Sequence, residues 1–240
     1  MPRVRIDSDY TNDDHEARDN DVYALAKYRW TLHLLEREFA PEVAVVANIG
    51  CGAGTFTAML AAAGYRVNAS EPDPVPFAIA QKRLPDGCTI ENKGVLDIEG
   101  EGRFDAIVMH DVLEHIEDDA GAVEKLSILL KPGGLLLMSV PAMQSLFGRH
   151  DEQLGHYRRY SRSSLRRVLG GSLEVRTVRY FGFLSIPIVW VFSKKLRREY
   201  PDVESEGIGV AQRIYGMICD IERRVPEPLG TSLLAVARRR

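Results

Sequence analysis

The stretch VAVVANIGCGAG, residues 43–54, joins a short β-branched run to a cluster of three glycines. The run 43–48 is typical of a buried strand, and the glycines allow positive φ and close approach of a ligand to the backbone. In open α/β sheets, ligands bind beyond the carboxyl ends of the strands, and the first strand–helix turn is the foremost location. The turn is neither a P-loop nor a dinucleotide fingerprint, because no Gly-Lys-Ser/Thr follows and Thr55 replaces the third fingerprint glycine.

Helices and strands are predicted to alternate on both sides of this turn. The predicted helices cover residues 22–39, 55–63, 75–83 and 120–130, and the predicted strands cover 43–48, 65–70, 88–92, 104–110, 134–140, 172–181 and 232–239. Such alternation indicates βαβ units and a parallel sheet covered on both faces. We therefore expect an α/β, Rossmann-like, doubly wound fold.

Composition excludes several classes of protein. The chain has 240 residues, 45% hydrophobic and 27% charged, as in ordinary globular proteins, and its length fits one large domain or two small ones. A net charge of −3 argues against general nucleic-acid binding. The cysteines, Cys51, Cys88 and Cys219, lack metal-ligand spacing, which indicates reduced thiols and a cytoplasmic location.

Two segments indicate whether the chain is targeted to or inserted in a membrane. The polar segment 1–19 lacks the apolar stretch of a signal peptide and is expected to form an arm. The apolar run 180–193 is shorter than the roughly 20 residues of a spanning helix, so no transmembrane segment is expected. Extended to its basic end, the segment 180–198 could touch a membrane surface, line a pocket for an apolar acceptor, or pack in the core or a homodimer. Internal packing is the favoured interpretation.

Two acidic residues follow neighbouring predicted strands. Glu71 comes directly after the second strand, where a carboxylate can accept both hydroxyls of a ribose. Asp97 lies just beyond the third strand, where it can accept from an adenine amino group. Together with the glycine turn, these residues predict a nucleoside site.

Four motifs in order resemble those of class I S-adenosylmethionine-dependent methyltransferases. They are VVANIGCGAG, the acid after the second strand, FDAIVMHDVLEHI and LLKPGGLLLMSVP, and they cover about residues 40–142. The resemblance implies a seven-stranded sheet, mostly parallel, with the last strand (232–239) inserted antiparallel. It also implies a single domain over 1–240, made of an arm and helix (1–40), a cofactor-binding core (41–142), an acceptor-side segment (143–171) and a lid or partner insertion (183–230).

The resemblance also implies roles for particular residues. Glu71 would hold the ribose of S-adenosylmethionine, and Asp97 would meet its adenine. One departure from the family pattern is Asn48, which stands where an acid is usual, although an amide can still hydrogen-bond the glycine loop. The remaining implied residues are Gly50, Gly52 and Gly54, which cradle the methionine end, and His110 and Asp111, which flank the cofactor.

A second pattern raises the question of a metal. Asp111, Glu114 and His115 have i, i+3 and i+4 spacing, which on a helix places all three on one face, where they could hold a divalent ion. The segment resembles the Glu-x-x-Glu-His of ubiquinone-pathway O-methyltransferases and small-RNA 3′-end methyltransferases. The alternative, which is favoured, is a metal-free loop in which Glu114 and His115 are hydrogen-bond partners.

The segment HDEQLGHYRRYS, residues 150–161, follows the fifth strand and should lie where the acceptor enters. It resembles a segment of bacterial type 12 and type 23 methyltransferases. A histidine is a suitable base near neutral pH, and Arg158, Arg159 and Tyr160 could bind an anionic or hydroxylated acceptor. The candidate bases are His156, His150 and His115. In the alternative interpretation, Asp151 pairs with an arginine and the segment only orders its own loop.

The expected function is methyl transfer from S-adenosylmethionine to a hydroxyl of a small metabolite. N-methylation and a non-catalytic S-adenosylmethionine-binding partner protein are the alternatives. A nicotinamide dehydrogenase is disfavoured by the glycine spacing.

Overall fold

One sheet organises the part of the chain that the computed structural model describes, residues 21–191 and 210–240. The helices are α1 (Val22–Glu38), α2 (Thr55–Ala62), α3 (Pro74–Arg83), α4 (Asp119–Leu129), α5 (Arg149–Gln153), α6 (Arg162–Gly170), α7 (Ile186–Trp190) and α8 (Val210–Glu222). The strands are β1 (Val45–Ile49), β2 (Arg66–Ser70), β3 (Thr89–Glu91), β4 (Phe104–His110), β5 (Leu130–Pro141), β6 (Glu174–Phe181) and β7 (Ser232–Arg238). Short 3-10 turns cover Val95–Asp97, Leu113–His115 and Gln144–Leu146.

The seven strands lie in the order β3-β2-β1-β4-β5-β7-β6. Strands β1 to β5 are parallel to their neighbours, and β7 runs antiparallel to both β5 and β6. The predicted seven-stranded, mostly parallel sheet with an antiparallel last strand is therefore confirmed. Strand order reverses between β1 and β4, and the carboxyl ends of these two strands form the crevice where open α/β sheets bind ligands.

The centre of the sheet is buried on both faces. In β5, the adjacent residues Leu136 and Leu137 are fully buried but belong to two different apolar clusters, one on each side of the sheet. Helices α4 and α6 contribute to the first cluster, and α1 and α2 contribute to the second. This burial explains why β5 is a continuous apolar run in the sequence, whereas a half-exposed strand would alternate.

Two local predictions differ from the structure. The predicted strand 134–140 is part of a longer β5 that begins at Leu130, before Gly133 and Gly134. Leu130 pairs with Phe104, and the register then shifts before Ala106, so an irregularity absorbs the extra residues. The short helix α5 was not predicted, because five residues carry too little periodicity to detect.

Three other predicted segments fall partly outside the described residues. Residues 1–20 contain the expected arm. Residues 192–209 belong to the expected insertion 183–230, and the first seven of them also belong to the apolar–basic segment 180–198. Within the described ranges, no helix is long and apolar enough to span a membrane. Within the described part of the expected insertion, α8 packs against α1, and Cys219 and Trp30 share an apolar cluster there.

Candidate functional site

The glycine turn forms the floor of a cleft at the carboxyl ends of β1 and β4. All three of its glycines have positive φ: +70° at Gly50, +55° at Gly52 and +90° at Gly54. A Cβ at Gly50 would lie 2.4 Å from Val112 Cγ2, whereas one at Gly52 would meet no atom of the described residues within 4 Å. Gly50 is therefore needed for internal packing, and Gly52 faces open space. The cleft is lined by Tyr28, Asn48, Gly50, Cys51, Gly52, Ala53, Thr55, Phe56 and His110.

Asn48 ties β1 to the helix that follows the turn. Its buried amide donates from Nδ2 to Thr57 Oγ1 at 2.8 Å. The expected hydrogen bond from Asn48 to the glycine loop is thus replaced by a bond to α2. The contact orients α2 without placing a charge beneath the turn.

The two predicted nucleoside-binding acids lie at the same edge of the sheet. Glu71 accepts from the backbone N–H of Gly52 at 2.8 Å and from that of Asp73 at 3.0 Å, so it joins the glycine turn to the β2–α3 turn. Asp97 ends the 3-10 turn after β3, and its carboxylate is exposed. Both carboxylates are positioned beyond strand ends, as the sequence predicts.

His110, the last residue of β4, is held at both ring nitrogens. Nδ1 lies 3.0 Å from Ser139 Oγ, and Nε2 lies 3.0 Å from Thr31 Oγ1. Burial lowers the pKa of His110 to about 3, against the opposing influence of the Asp111 charge. The ring is therefore neutral near neutral pH and serves as a wall of the cleft, beside Tyr28.

Asp111 does not join Glu114 and His115, so the predicted shared face is wrong. Its φ of +52° turns the chain after β4, and its carboxylate pairs with Lys27 and accepts from Ser139 Oγ at 3.0 Å. Glu114 and His115 sit in the following single 3-10 turn rather than on an α-helix, so the i, i+3, i+4 spacing does not align the three side chains.

A different group of three forms where the segments that follow β4 and β5 meet. Glu114, His115 and His156 each offer an atom, and these atoms lie within 4.8 Å of one another. The rings of His115 and His156 meet edge to face with centroids 4.5 Å apart. The Tyr157 N–H donates to the Glu114 carbonyl at 2.8 Å, which joins the segment after β5 to the segment after β4. His150 lies in α5 and is not in this group.

Glu114 is the unusual member of this group. Its side chain is fully buried, and neither carboxylate oxygen has a hydrogen-bond partner among the described residues. Burial raises its pKa well above the ordinary range, so this position disfavours the charged carboxylate. A carboxyl ligand must give up its proton to bind a metal, and burial opposes this step, so we favour the metal-free interpretation of these three residues.

His156 is oriented by a buried carboxylate. Its Nδ1 lies 2.8 Å from Asp151 Oδ1, and Asp151 also accepts from Arg159 Nε at 2.7 Å and from the Gly148 N–H at 2.9 Å. Burial would raise the pKa of Asp151, but the hydrogen bonds from His156 and Arg159 lower it to about 2. Asp151 is therefore ionised, and Nε2 is the atom of His156 that remains for chemistry.

The residues predicted to bind the acceptor have internal partners instead. Arg159 is 8% exposed and pairs with Asp151, and Tyr160 is 2% exposed and donates to Asp119 Oδ2 at 2.9 Å. Arg158 pairs with the same Asp119 at 2.8 Å. The burial and internal pairing of Arg159 and Tyr160 therefore argue against their expected acceptor contacts. Instead, Asp151 pairs with an arginine and orders the segment, as in the alternative interpretation.

Sequence reasoning missed three polar or aromatic residues of α1. Lys27, Tyr28 and Thr31 point from this helix toward the ends of β4 and β5, and Lys27 and Thr31 are 4% and 0% exposed. In the sequence, Tyr28 is only one of the apolar residues that recur every three or four positions in the predicted helix 22–39. Nothing in the local pattern distinguishes Lys27 from the exposed lysines of other helices.

Glu114→Met is expected to stabilise the protein by about 1–3 kcal/mol, because it removes a buried polar group that has no partner among the described residues. Urea unfolding measures the change. The matched control is Glu152→Met, at an exposed position of α5, which should change stability by less than about 0.5 kcal/mol. An unchanged or reduced stability of Glu114→Met would show that the carboxyl group has a stabilising partner.

Comparisons with known proteins agree with this geometry. A family model described as a methyltransferase domain matches residues 20–172. The ubiquinone biosynthesis O-methyltransferase of Azotobacter vinelandii is 31% identical over 99 residues, which is 39% of this chain and 43% of that protein. The chain thus spans less than half the length of this relative.

Two solved structures share the fold over most of the chain. The methyltransferase in the complex with the Haloferax volcanii Trm112 methyltransferase activator is 17% identical, with a TM-score of 0.63, and the match covers 94% of this chain and 95% of that one. The Burkholderia thailandensis 1,6-didemethyltoxoflavin-N1-methyltransferase, with bound S-adenosylhomocysteine, is 19% identical, with a TM-score of 0.59, covering 92% and 80%.

Proposed function

The chain belongs to the methyltransferase domain family and uses S-adenosylmethionine, and from that premise we propose that its acceptor is a hydroxyl of a small metabolite. One observation carries this proposal: His156 is oriented by the buried, ionised Asp151 and lies close to Glu114 and His115, in the segment that follows β4. A hydroxyl is a poor nucleophile until its proton is removed, and an oriented imidazole is suited to remove it. Similarity to ubiquinone O-methyltransferases also supports oxygen as the acceptor atom.

The residues of the cleft fit the cofactor. The open side of Gly52 leaves room for a ligand against the backbone, and Gly50 and Gly54 give the turn its shape. The Glu71 carboxylate accepts from two backbone N–H groups at the edge of the cleft, and the ribose hydroxyls would bind at this carboxylate. Asp97 would meet the adenine amino group from its exposed position. When bound, S-adenosylmethionine supplies an activated methyl group on a cationic sulfur.

His156 is proposed to act as the general base. Nε2 takes the proton of the acceptor hydroxyl, while Asp151 holds the Nδ1 proton and stabilises the imidazolium that forms. The pKa of Asp151, about 2, keeps it ionised during this step. Arg159 donates to the same Asp151 oxygen that His156 contacts, so the segment expected to bind the acceptor instead holds the base in place. Burial raises the pKa of Glu114, which disfavours a second negative charge close to His156.

His156→Ala is expected to lower methyl transfer about 100-fold or more while leaving S-adenosylhomocysteine affinity within about twofold. The measurement is transfer of labelled methyl from S-adenosylmethionine to a panel of phenols, catechols and sugars, with the product bond assigned by NMR, and calorimetry for affinity. His150→Ala is the matched control, because His150 lies outside the group of Glu114, His115 and His156, and it should retain transfer. A methyl group on nitrogen, or full transfer by His156→Ala, contradicts the proposal.

A further inference from the structure

Helix α1 carries a buried cation. The Lys27 side chain is 5% exposed, and its ammonium group pairs with the Asp111 carboxylate and lies 5.0 Å from the centre of the Tyr23 ring. Four residues later, the fully buried Thr31 contacts His110. Buried charge is costly unless it is paired, so Lys27 requires an explanation beyond the packing of α1.

The partner of Lys27 occupies the turn that closes the cleft. Asp111 directly follows His110, a lining residue, and directly precedes Val112, which packs against Gly50. The Asp111 side chain is 36% exposed, so the ion pair is sealed on the lysine side and open on the aspartate side. A change at Lys27 therefore reaches the cleft through Asp111 and the turn, without Lys27 lining the cleft itself.

We propose that Lys27 is a positioning residue of the cofactor site, which holds the Asp111 carboxylate at the end of β4 and cancels its charge. This inference rests on the proposed position of Asp111 beside the cofactor. Asp111 also accepts from Ser139 Oγ, and the same oxygen contacts His110 Nδ1. The Lys27–Asp111 ion pair therefore belongs to a polar network that spans α1, β4 and β5. Helix α1 is thus part of the cofactor site as well as a cover for the sheet.

The charge of the pair has a measurable consequence. S-adenosylmethionine carries a cationic sulfur, whereas its product S-adenosylhomocysteine carries a neutral one. With Lys27 and Asp111 both present, the local charges cancel. Removing only Lys27 leaves a negative charge and favours the cationic methyl donor over the product, and removing only Asp111 leaves a positive charge and favours the product.

The test is calorimetry of both ligands on four purified full-length proteins: wild type, Lys27→Met, Asp111→Asn and the double variant. Lys27→Met should weaken S-adenosylhomocysteine binding about tenfold and shift the ratio of the two affinities at least about threefold toward S-adenosylmethionine. Asp111→Asn should shift the ratio in the opposite direction. The double variant should return the ratio to within about twofold of the wild type.

The matched control for a purely structural effect is Leu35→Ala. Leu35 is also on α1 and fully buried, but it packs against the apolar face of the sheet. This variant should lose stability and keep both affinities and their ratio, and Lys27→Arg should also keep the ratio. Should Lys27→Met fail to fold, Asp111→Asn and the double variant still test the sign of the shift.

Equal ratios in all four proteins, or the same loss of affinity in Leu35→Ala, would overturn the assignment of Lys27. These measurements need no methyl acceptor. Failure of His156 as the base therefore leaves them unaffected, and absence of binding in the wild type would instead refute the proposed cofactor placement.

Discussion

Gly50→Ala is expected to weaken S-adenosylhomocysteine binding more than about 30-fold and to destabilise the protein by about 2–5 kcal/mol. At φ +70°, an L residue is strained by about 1–2 kcal/mol. The added Cβ would also lie 2.4 Å from Cγ2 of Val112, a short branched side chain that cannot swing away. The clash forces apart the glycine turn and the Asp111–Val112 turn, which are two sides of the cleft.

Calorimetry and urea unfolding measure the two effects of Gly50→Ala. The control Gly87→Ala separates the backbone strain at positive φ from the steric clash with Val112. Gly87 lies in the α3–β3 turn with φ +91°, and a Cβ added there would meet no atom of the described residues within 4 Å. Its alanine variant should lose only the strain energy, about 1–2 kcal/mol, and keep wild-type affinity. If both variants bind equally well, the contact between Gly50 and Val112 is not needed for the cofactor site.

Asp151→Ala is expected to destabilise the protein by about 3–5 kcal/mol, because it leaves the buried guanidinium of Arg159 without this counter-ion. It also removes the group that orients His156, so methyl transfer should fall with it. Asp151→Asn keeps an acceptor oxygen with nearly the same shape and should retain more stability while still losing transfer.

The control for Asp151 is an exposed pair. Arg176 Nη2 lies 3.1 Å from Glu174 Oε2, and both side chains are half-exposed. Glu174→Gln should therefore change stability by less than about 1 kcal/mol. The pH dependence supplies a second measurement. Because the pKa of Asp151 is lowered to about 2, its contribution is complete above the ordinary pKa of an aspartate and is lost as pH falls toward 2. Asp151→Ala should therefore lose stability less steeply than the wild type on acidification, and an equal slope would contradict this account.

Much of the proposed cofactor cleft was predictable because its features are local in the chain. The strand 43–48 and the glycines after it require only neighbouring residues to specify a strand and a turn with positive φ. Glu71 follows β2 directly and Asp97 lies a few residues beyond β3, so any parallel sheet brings them to one edge. The same reasoning failed for Asp111, because the spacing assumed an α-helix where the chain forms a left-handed turn and then a 3-10 turn.

The acceptor side shows the limit of spacing arguments. The polar side chains of residues 156–161 are of types usually exposed to solvent. Arg159 and Tyr160 are nevertheless buried and paired. Their partners, Asp151 and Asp119, lie in α5 and α4. The periodicity of apolar residues in the sequence does not predict such polar pairs. The residue types of this segment therefore suggested a basic surface that binds an acceptor. In the structure, the segment instead contains buried ion pairs and hydrogen bonds, one of which orients His156.

The sequence by itself determined the order of strands and helices, the glycine turn and the carboxylates beyond β2 and β3, because short-range backbone preferences and the hydrophobic period decide these features. Only the tertiary structure decided which polar groups meet. Lys27 and Asp111 are 84 residues apart, and they pair because α1 packs across the carboxyl end of β4. Glu114 and His156 likewise come together because parallel pairing of β4 and β5 aligns the segments that follow them. Such contacts depend on strand register and helix packing, which are global properties that no local stretch encodes.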